Sequence, residues 1–190
     1  MTKDNIITLP NPHLRQPSRK VGKITKKILT IIDNMEKATL SWDQSRDHEV
    51  GVALAAVQID ELNQIVIIRN NLEDKDDLSF KAYINPKITK LYGDIIEDYE
   101  GCLSIPDIYG KVPRYSKIKL SALDINGQQI QETINDFRAR IFQHEIDHNN
   151  GILFIDHIKE RTDAFYILDK KGKIKQLNYE EFIKNNSLLW

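Results

Sequence analysis

The chain has 190 residues, which is enough for one domain with a sizeable core and too few for two. Hydrophobic residues make up 41% and charged residues 29%, as in an ordinary globular protein. The 27 Lys and Arg against 28 Asp and Glu leave a net charge of −1, which argues against a generic nucleic-acid or membrane-surface binder. No stretch approaches the roughly 18 consecutive apolar residues of a membrane span.

The N-terminus and the cysteine usage indicate the compartment. Residues 1–10 contain one lysine and no apolar run of the kind found in signal peptides. Cys102 is the only cysteine of the sequence, so an internal disulfide is excluded and a reducing compartment is favoured. We therefore expect a cytoplasmic protein whose one thiol is free for chemistry.

The first half of the chain predicts a helix followed by strands. Residues 6–21 hold three prolines and are expected to be extended, whereas residues 23–42 place apolar side chains at helical spacing. Runs of alternating or β-branched residues then predict strands, and Asn-Gly at 126–127 predicts a hairpin into a strand at 130–134. The other predicted strands are 65–69, 81–84, 88–92 and 118–123, with turns at Asn70-Asn71, Asn85-Pro86 and Gly93-Asp94.

A second helix is predicted from Asn135 or Asp136 to about Asn150, with Gly151 as its stop. Beyond it we expect a glycine turn within 170–175 and a short helix within 180–189. The order of helix, strands and helix predicts an α+β fold, and we expect residues 1–190 to form one domain.

The sequence HEIDH at 144–148 lies in the second predicted helix. Histidines at positions i and i+4 face the same side of a helix, so His144 and His148 can bind one metal ion. Glu145 can then lie beside the remaining coordination position. Phe137 and Ile141 precede the histidines on the same stripe, which continues the apolar face. Two surface histidines on an amphipathic helix are the alternative at this point.

The third ligand decides the class of metalloenzyme, because a catalytic zinc-type site commonly has three protein ligands and one open position. A metzincin pattern fails, since Phe154 stands where its third histidine is required. A thermolysin-like glutamate has Glu160 as its nearest candidate, only 12 residues beyond His148. Cys102 is the better candidate, because one cysteine and two histidines make a tetrahedral site with one vacancy.

Three motifs together resemble those of the peptide deformylase family. They are GVALAAVQ at 51–58, EGCLS at 100–104 and QHEIDH at 143–148, and GILF at 151–154 continues the likeness. Asp156, the run Val112-Pro113-Arg114, and Leu14-Arg15 with Val21 also match. The resemblance covers about residues 6–158 and leaves 159–190 as a tail. It implies an α+β fold with small mixed or antiparallel sheets packed around a central metal-binding helix.

The resemblance implies a hydrolase of protein biosynthesis that removes the formyl group from the N-terminal formyl-methionine of nascent polypeptides. Cys102, His144 and His148 would bind one divalent ion, which in the family is typically Fe(II), with Zn(II), Ni(II) or Co(II) as alternatives. Glu145 would be the general acid and base in the attack of a metal-bound water. The Gln58 side-chain amide and the Leu103 backbone N–H would stabilise the oxyanion.

By the same resemblance, the substrate peptide would lie as an added strand along residues 51–58. Phe137 and Ile141 would form the wall of the pocket for the methionine side chain. The full set of expected substrate-binding residues is Gly51, Val52, Ala53, Gly101, Arg114, Phe137 and Ile141.

Several residues depart from the family pattern. Ala53 stands where a second glycine is usual, Asp98-Tyr99 place polarity where an apolar pocket residue is expected, and Asn149 follows His148 where leucine is common. These departures concern substrate preference more than chemistry. Two alternatives stay open: a zincin-type peptidase that does not need Cys102, and a non-catalytic relative that keeps the fold and the metal. No membrane contact and no sequence-specific nucleic-acid contact is expected, and the tail either packs on the domain or meets a partner such as the ribosome.

Overall fold

An antiparallel sheet and two long helices dominate the fold. The computed structural model describes residues 1–46, 48–74, 76–169, 172–184, 186 and 189. Short 3₁₀ turns lie at Lys3–Asn5, Pro12–Arg15, Ala56–Ile59 and Phe154–Ile158. The helices and strands are α1 (Lys26–Asp43), β1 (Ala53–Ala55), β2 (Ile65–Arg69), β3 (Phe80–Cys102), β4 (Ile105–Leu123), β5 (Gln129–Asn135), α2 (Asp136–Asn149), β6 (Phe165–Leu168), β7 (Ile174–Gln176) and α3 (Tyr179–Phe182).

The seven strands form one connected sheet, in which every strand pair is antiparallel. Its order is β1-β2-β3-β4-β6-β7, and β5 pairs with the second half of β4. The predicted α+β class is confirmed. The strands are joined into one sheet because β3 and β4, at 23 and 19 residues, are long enough to pair with different neighbours at their two ends.

Helix α1 covers one face of the sheet. Ile28, Ile31, Ile32 and Met35 recur at helical spacing and are buried against a cluster that includes Leu54 of β1. Burial of such side chains contributes about 1.5–3 kcal/mol each relative to exposure. The predicted helix is confirmed, with its start at Lys26 instead of residue 23.

The predicted strands 81–84 and 88–92 are parts of β3, and the predicted turns between and after them are wrong. The pairing of β3 with β4 shifts register between Ile84 and Lys87, and again between Tyr92 and Ile95. Asn85 and Gly93 have φ of 53° and 80° at these points. Residues that tolerate positive φ serve β-bulges as well as turns, so Asn-Pro and Gly-Asp here bend one strand without ending it.

The hairpin predicted at Asn126-Gly127 is confirmed. Leu123 of β4 pairs with Gln129 of β5, and Gly127 has a φ of 79° in the loop between them. The Asp124 carboxylate accepts hydrogen bonds from the backbone N–H of Asn126 and of Gln128, at 2.8 Å each. The loop therefore supplies its own polar partners.

Helix α2 is confirmed within one residue of its predicted bounds, with Asn135 at the N-cap position. Gly151 has a φ of 74°, and a Cβ there would lie 2.5 Å from the Arg15 carbonyl oxygen. The helix therefore ends where the Arg15 backbone packs directly against Gly151.

The tail packs on the domain. Ile183 and Leu189 are buried in the cluster that contains Phe165 and Ile158. Gly172 has a φ of 71°, as expected for the predicted turn, while residues 170 and 171 lie outside the described part of the chain. The predicted helix at 180–189 is a single turn, α3, and residues 185, 187, 188 and 190 lie outside the description. None of the described helices is long and apolar enough to span a membrane.

Candidate active site

The predicted metal ligands come together at the end of β3. Cys102 is the last residue of that strand, and His144 and His148 lie one turn apart on α2. Their ligand atoms all lie within 4.8 Å of one another, with 3.2 Å between Cys102 Sγ and His148 Nε2. A thiolate with two imidazoles is a donor set that zinc and iron accept. All three residues are buried, so the described chain offers a preformed site for one divalent ion.

Glu100 fixes the orientation of His144. Its Oε2 lies 3.0 Å from His144 Nδ1, and because a carboxylate only accepts, Nδ1 carries the proton and Nε2 is left for the ion. Arg114 donates to both carboxylate oxygens, at 2.9 and 3.0 Å, and Arg140 Nη1 donates to Oε1 at 2.8 Å. Burial opposes ionisation of Glu100, but the hydrogen bonds from His144 and Arg114 outweigh it and hold the pKa of this carboxyl far below its usual range.

Glu145 projects into the same space without a partner. It is 5% exposed, and its Oε2 forms no hydrogen bond within the described structure. Burial raises the pKa of Glu145 to about 7, and the negative charge of Glu100 adds to the effect, whereas a protonated His144 would oppose it. A carboxyl group with a pKa near neutrality can both take and return a proton, which is the property needed for general acid and base catalysis.

Gln58 presents an amide N–H₂ group to the ligand cluster. Its Oε1 accepts a hydrogen bond from the Ala55 backbone N–H at 2.9 Å, which determines which end of the amide is oxygen. Nε2 then points to Ser104 Oγ at 3.1 Å and to Cys102 Sγ at 3.5 Å. The 3₁₀ turn that follows β1 therefore places a donor beside the ligand thiol.

A cavity of about 260 Å³ opens beside these groups. The ligands Cys102 and His144 line it, and His148 lies behind them at 1% exposure. Of the other predicted site residues, Val52, Ala53, Gln58, Gly101, Leu103, Phe137, Ile141 and Glu145 also line the cavity.

Gly51 and Arg114, both predicted to contact substrate, are not among the residues that line the cavity. The Gly51 N–H donates to the Asp43 carboxylate, and a Cβ at this position would lie 2.7 Å from Thr39 Cγ2. This glycine is therefore explained by the close approach of α1. Arg114 is 5% exposed and binds Glu100 and Asp147, so it supports the site from behind.

Arg140 is a site residue that the motif analysis missed. It lines the cavity, yet its guanidinium donates to the carbonyl oxygens of Ile96 and Val112, at 2.6 and 2.7 Å, as well as to Glu100. It thus ties both long strands to α2. The available signal was its position four residues before His144, on the buried stripe of the helix.

The cavity mouth is also bordered by residues that no motif indicated. The Tyr109 hydroxyl donates to the Glu49 carboxylate, and Arg46 Nη1 pairs with Asp107 Oδ1 at 2.6 Å. Burial raises the pKa of Tyr109, and its hydrogen bond to Glu49 adds to the effect. These contacts join the segment after α1 to the start of β4, and nothing in their sequence spacing predicts them.

Comparison with known proteins identifies the family. The model of the family described as polypeptide deformylase matches residues 3–164. A peptide deformylase of Psychrobacter arcticus is 38% identical over 176 residues, which cover 93% of this chain and 90% of the relative. Peptide deformylase 2 of Clostridium acetobutylicum is 43% identical over 147 residues, covering 77% and 89% of the two chains.

The chain belongs to the peptide deformylase family.

Solved structures agree with this assignment. A Synechococcus elongatus peptide deformylase in complex with actinonin superposes with a TM-score of 0.74 at 35% identity, covering 82% of this chain and 80% of that one. The resemblance stated from the three motifs is confirmed, and so is the class of enzyme. The match extends beyond the metal helix to both other motifs, which sets aside the zincin-type peptidase.

Proposed function

We propose that this peptide deformylase removes the formyl group from the N-terminal formyl-methionine of nascent polypeptides, using one divalent ion held by Cys102, His144 and His148. The observation that carries the proposal is the meeting of this donor cluster with the unpartnered Glu145 carboxylate and the Gln58 amide in one cavity. When bound, the ion supplies Lewis-acid activation of a water molecule. Fe(II) is the proposed native ion, and Zn(II), Ni(II) and Co(II) suit the same donors.

Glu145 moves the proton. It accepts a proton from water as the water oxygen bonds to the formyl carbon, and it returns a proton to the amine nitrogen as the carbon–nitrogen bond breaks. The products are formate and a free N-terminal amine. The burial of Glu145 and the missing hydrogen-bond partner of its Oε2 within the described structure support this role, because the carboxylate is left available to water.

Gln58 and Leu103 stabilise the charge that develops on the formyl oxygen. Gln58 Nε2 already points toward the ligand cluster, held by the bond between its Oε1 and the Ala55 N–H. The Leu103 backbone N–H follows directly after the ligand Cys102. Donors that are fixed in advance do not have to reorganise during the reaction, and one such donor is worth about 10²–10³-fold in rate.

Strand β1 offers an edge to the peptide. The Val52 carbonyl accepts from the Arg69 N–H of β2 at 2.8 Å, and because bonding alternates along an antiparallel strand, the N–H and C=O of Ala53 face the opposite, unpaired side. β1 is the terminal strand of the sheet order. An extended peptide can add there as another strand.

The cavity walls then accommodate the methionine side chain and the neighbouring substrate backbone. Phe137 and Ile141, which line the cavity, supply the apolar wall. A Cβ at Gly101 would lie 2.7 Å from Tyr109 Cε1, so a side chain at this position would displace the Tyr109 ring. We propose the cytoplasm as the compartment, because the ligand thiol must stay reduced.

The test is an assay on anaerobically purified protein with formyl-Met-Ala-Ser, in which formate release and bound metal are both measured. Glu145→Gln is expected to keep its metal and to lose about 10²–10⁴-fold in kcat. Cys102→Ala is expected to lose both metal and activity. Glu97→Gln, an exposed glutamate of the same size, serves as the control and should retain full turnover. A parent protein that holds one metal ion and releases no formate would falsify the proposal.

A further inference from the structure

The cations of this chain are segregated in a way that its net charge of −1 conceals. Three segments contain no Asp or Glu at all: residues 5–32, 78–93 and 108–123. They contain 13 of the 27 Lys and Arg residues, so the rest of the chain is correspondingly acidic. Charge segregation of this kind matters for binding, because a partner responds to the local field and not to the total charge.

The fold brings these three segments together. Val21 and Asn85 are joined by two hydrogen bonds, from the Val21 N–H to Asn85 Oδ1 at 2.8 Å and from Asn85 Nδ2 to the Val21 carbonyl at 2.9 Å. Strand pairing then sets Lys87 opposite Ser121 and Lys90 opposite Lys119. The result is a basic strip that we define as Lys20, Lys23, Lys87, Lys90, Lys117 and Lys119, all exposed.

The strip lies on one side of the sheet. Lys117 and Lys119 alternate along β4 with the buried Ile118 and Leu120, so they share the face that Leu123 presents to α1. Helix α1 covers only the end of this face, and Val21 packs into the same cluster beside it. The lysines of β3 and β4 therefore continue the surface on which Lys20 and Lys23 lie.

The six lysines have no acidic partner among the described residues. None of them forms an ion pair with any residue that the structure describes, whereas Lys81 and Lys175 elsewhere in the sheet do so. Lys90 and Lys119 are directly opposite each other, and like charges in that arrangement destabilise a strand pair. A bound polyanion would provide the negative charge that the described residues around the strip do not provide.

We propose that the basic strip binds the phosphate backbone of RNA without reading its sequence. The side chains beside the lysines suit that partner: Tyr92 pairs with Lys117 across the strands, and Gln131 and Thr133 of β5 add hydrogen-bonding groups on the same face. Lysine with tyrosine on a rigid sheet is a surface that nucleic acids use for phosphate contact and stacking. Anionic lipids also attract exposed lysines, so phosphatidylserine vesicles are included in the test as the competing surface.

The strip is separate from the active site. Lys90 lies 11 residues before Gly101 on β3, which corresponds to roughly 35 Å along the strand. No lysine of the strip lines the catalytic cavity. RNA on the strip therefore leaves the cavity open, and the same molecule can hold RNA while it processes a peptide end.

The proposal is tested by fluorescence anisotropy with a labelled RNA stem-loop, titrated between about 50 and 200 mM salt. Lys90→Gln/Lys119→Gln is expected to weaken binding about tenfold and to flatten the dependence of log K on log salt by about two, because each lost phosphate contact removes about one. The control is Lys37→Gln/Lys184→Gln, which removes the same charge from two exposed lysines paired with Asp33 and Glu180. This control should bind RNA like the parent.

Two further measurements separate the possible outcomes. Deformylation of formyl-Met-Ala-Ser should be unchanged in both double variants, which shows that they are folded, and Glu145→Gln should bind RNA normally. If the parent binds RNA through the basic strip but releases no formate, the proposed function is refuted and the RNA proposal stands. The RNA proposal is overturned by a parent that binds no RNA, by equal loss in the control, or by binding to phosphatidylserine vesicles in place of RNA.

Discussion

The two ends of the β3–β4 pair differ in whether their charged side chains are buried with partners or exposed without them. At the catalytic end, Glu100 is 6% exposed and two guanidinium groups, those of Arg114 and Arg140, are bonded to it. At the other end, Lys90 and Lys119 stand exposed and opposed, with no acidic partner among the described residues. A buried charge needs partners because desolvation costs several kcal/mol, whereas an exposed charge is tolerated in water. At the buried end, Glu100 therefore orients His144. At the exposed end, the lysines are available to bind an anion.

The largest effect is expected from Glu100→Gln. This change leaves two buried guanidiniums facing one neutral amide, so the free energy of unfolding should fall by about 3–5 kcal/mol in urea titrations. The orientation of His144 also depends on this carboxylate, and metal affinity should fall about 10–100-fold. Glu97→Gln is the matched control, since Glu97 lies on the same strand and pairs with the exposed Arg161, where a loss of at most about 1 kcal/mol is expected. If Glu100→Gln and Glu97→Gln lower the free energy of unfolding equally, burial of the charge does not determine its contribution to stability on β3.

Arg140→Met should have an intermediate effect. The variant keeps an apolar stem but gives up the charge-assisted bonds to Glu100 and to the carbonyl oxygens of Ile96 and Val112. Glu100 retains its two bonds from Arg114, so we expect a loss of about 2–3 kcal/mol with bound metal retained. A loss as large as that of Glu100→Gln, measured in the same urea titration, would show that Arg114 alone cannot hold the carboxylate.

The smallest effect, and the one with the opposite sign, is expected from Lys90→Glu. This change replaces a like-charge pair with an opposite-charge pair across β3 and β4, which should stabilise the fold by about 0.2–1 kcal/mol. The melting temperature of the variant should rise slightly while its affinity for RNA falls. A variant that is less stable than the parent would mean that the contact of Lys90 Nζ with the Tyr92 ring, 5.2 Å from its centroid, outweighs the repulsion between the two lysines.

The meeting of His144 and His148 on one helix face was predictable because its geometry is local. Two histidines four residues apart on a helix share a face whatever the rest of the fold does, and elimination of Phe154 and Glu160 directed attention to Cys102. The hairpin at Asn126-Gly127 was predictable for the same reason. The cluster around Glu100 was not, because its arginines lie 14 and 40 residues away and meet it only through the sheet.

Other features of the fold were not predicted because the same sequence pattern is compatible with more than one local structure. Asn85-Pro86 and Gly93-Asp94 mark a change of backbone direction, and the sequence does not distinguish a turn from a bulge. The close approach of Thr39 of α1 to Gly51 was likewise not predictable from the sequence, because the two residues meet only in the folded chain. The segregation of the lysines was not visible in the net charge of −1, because a sum over the chain contains no information about where the charges lie.

The open edge of β1 has a consequence for self-association. An unpaired strand edge is a template on which copies of a protein can add to one another. This edge is only three residues long, and the Ala55 N–H is already occupied by Gln58, so Ala53 alone offers both backbone groups. A folded neighbour cannot reach one residue set beside a cavity, but a loose chain end can. The enzyme can therefore leave the edge of β1 unpaired in solution, because this short edge can bind one extended peptide but cannot pair with the sheet of another copy.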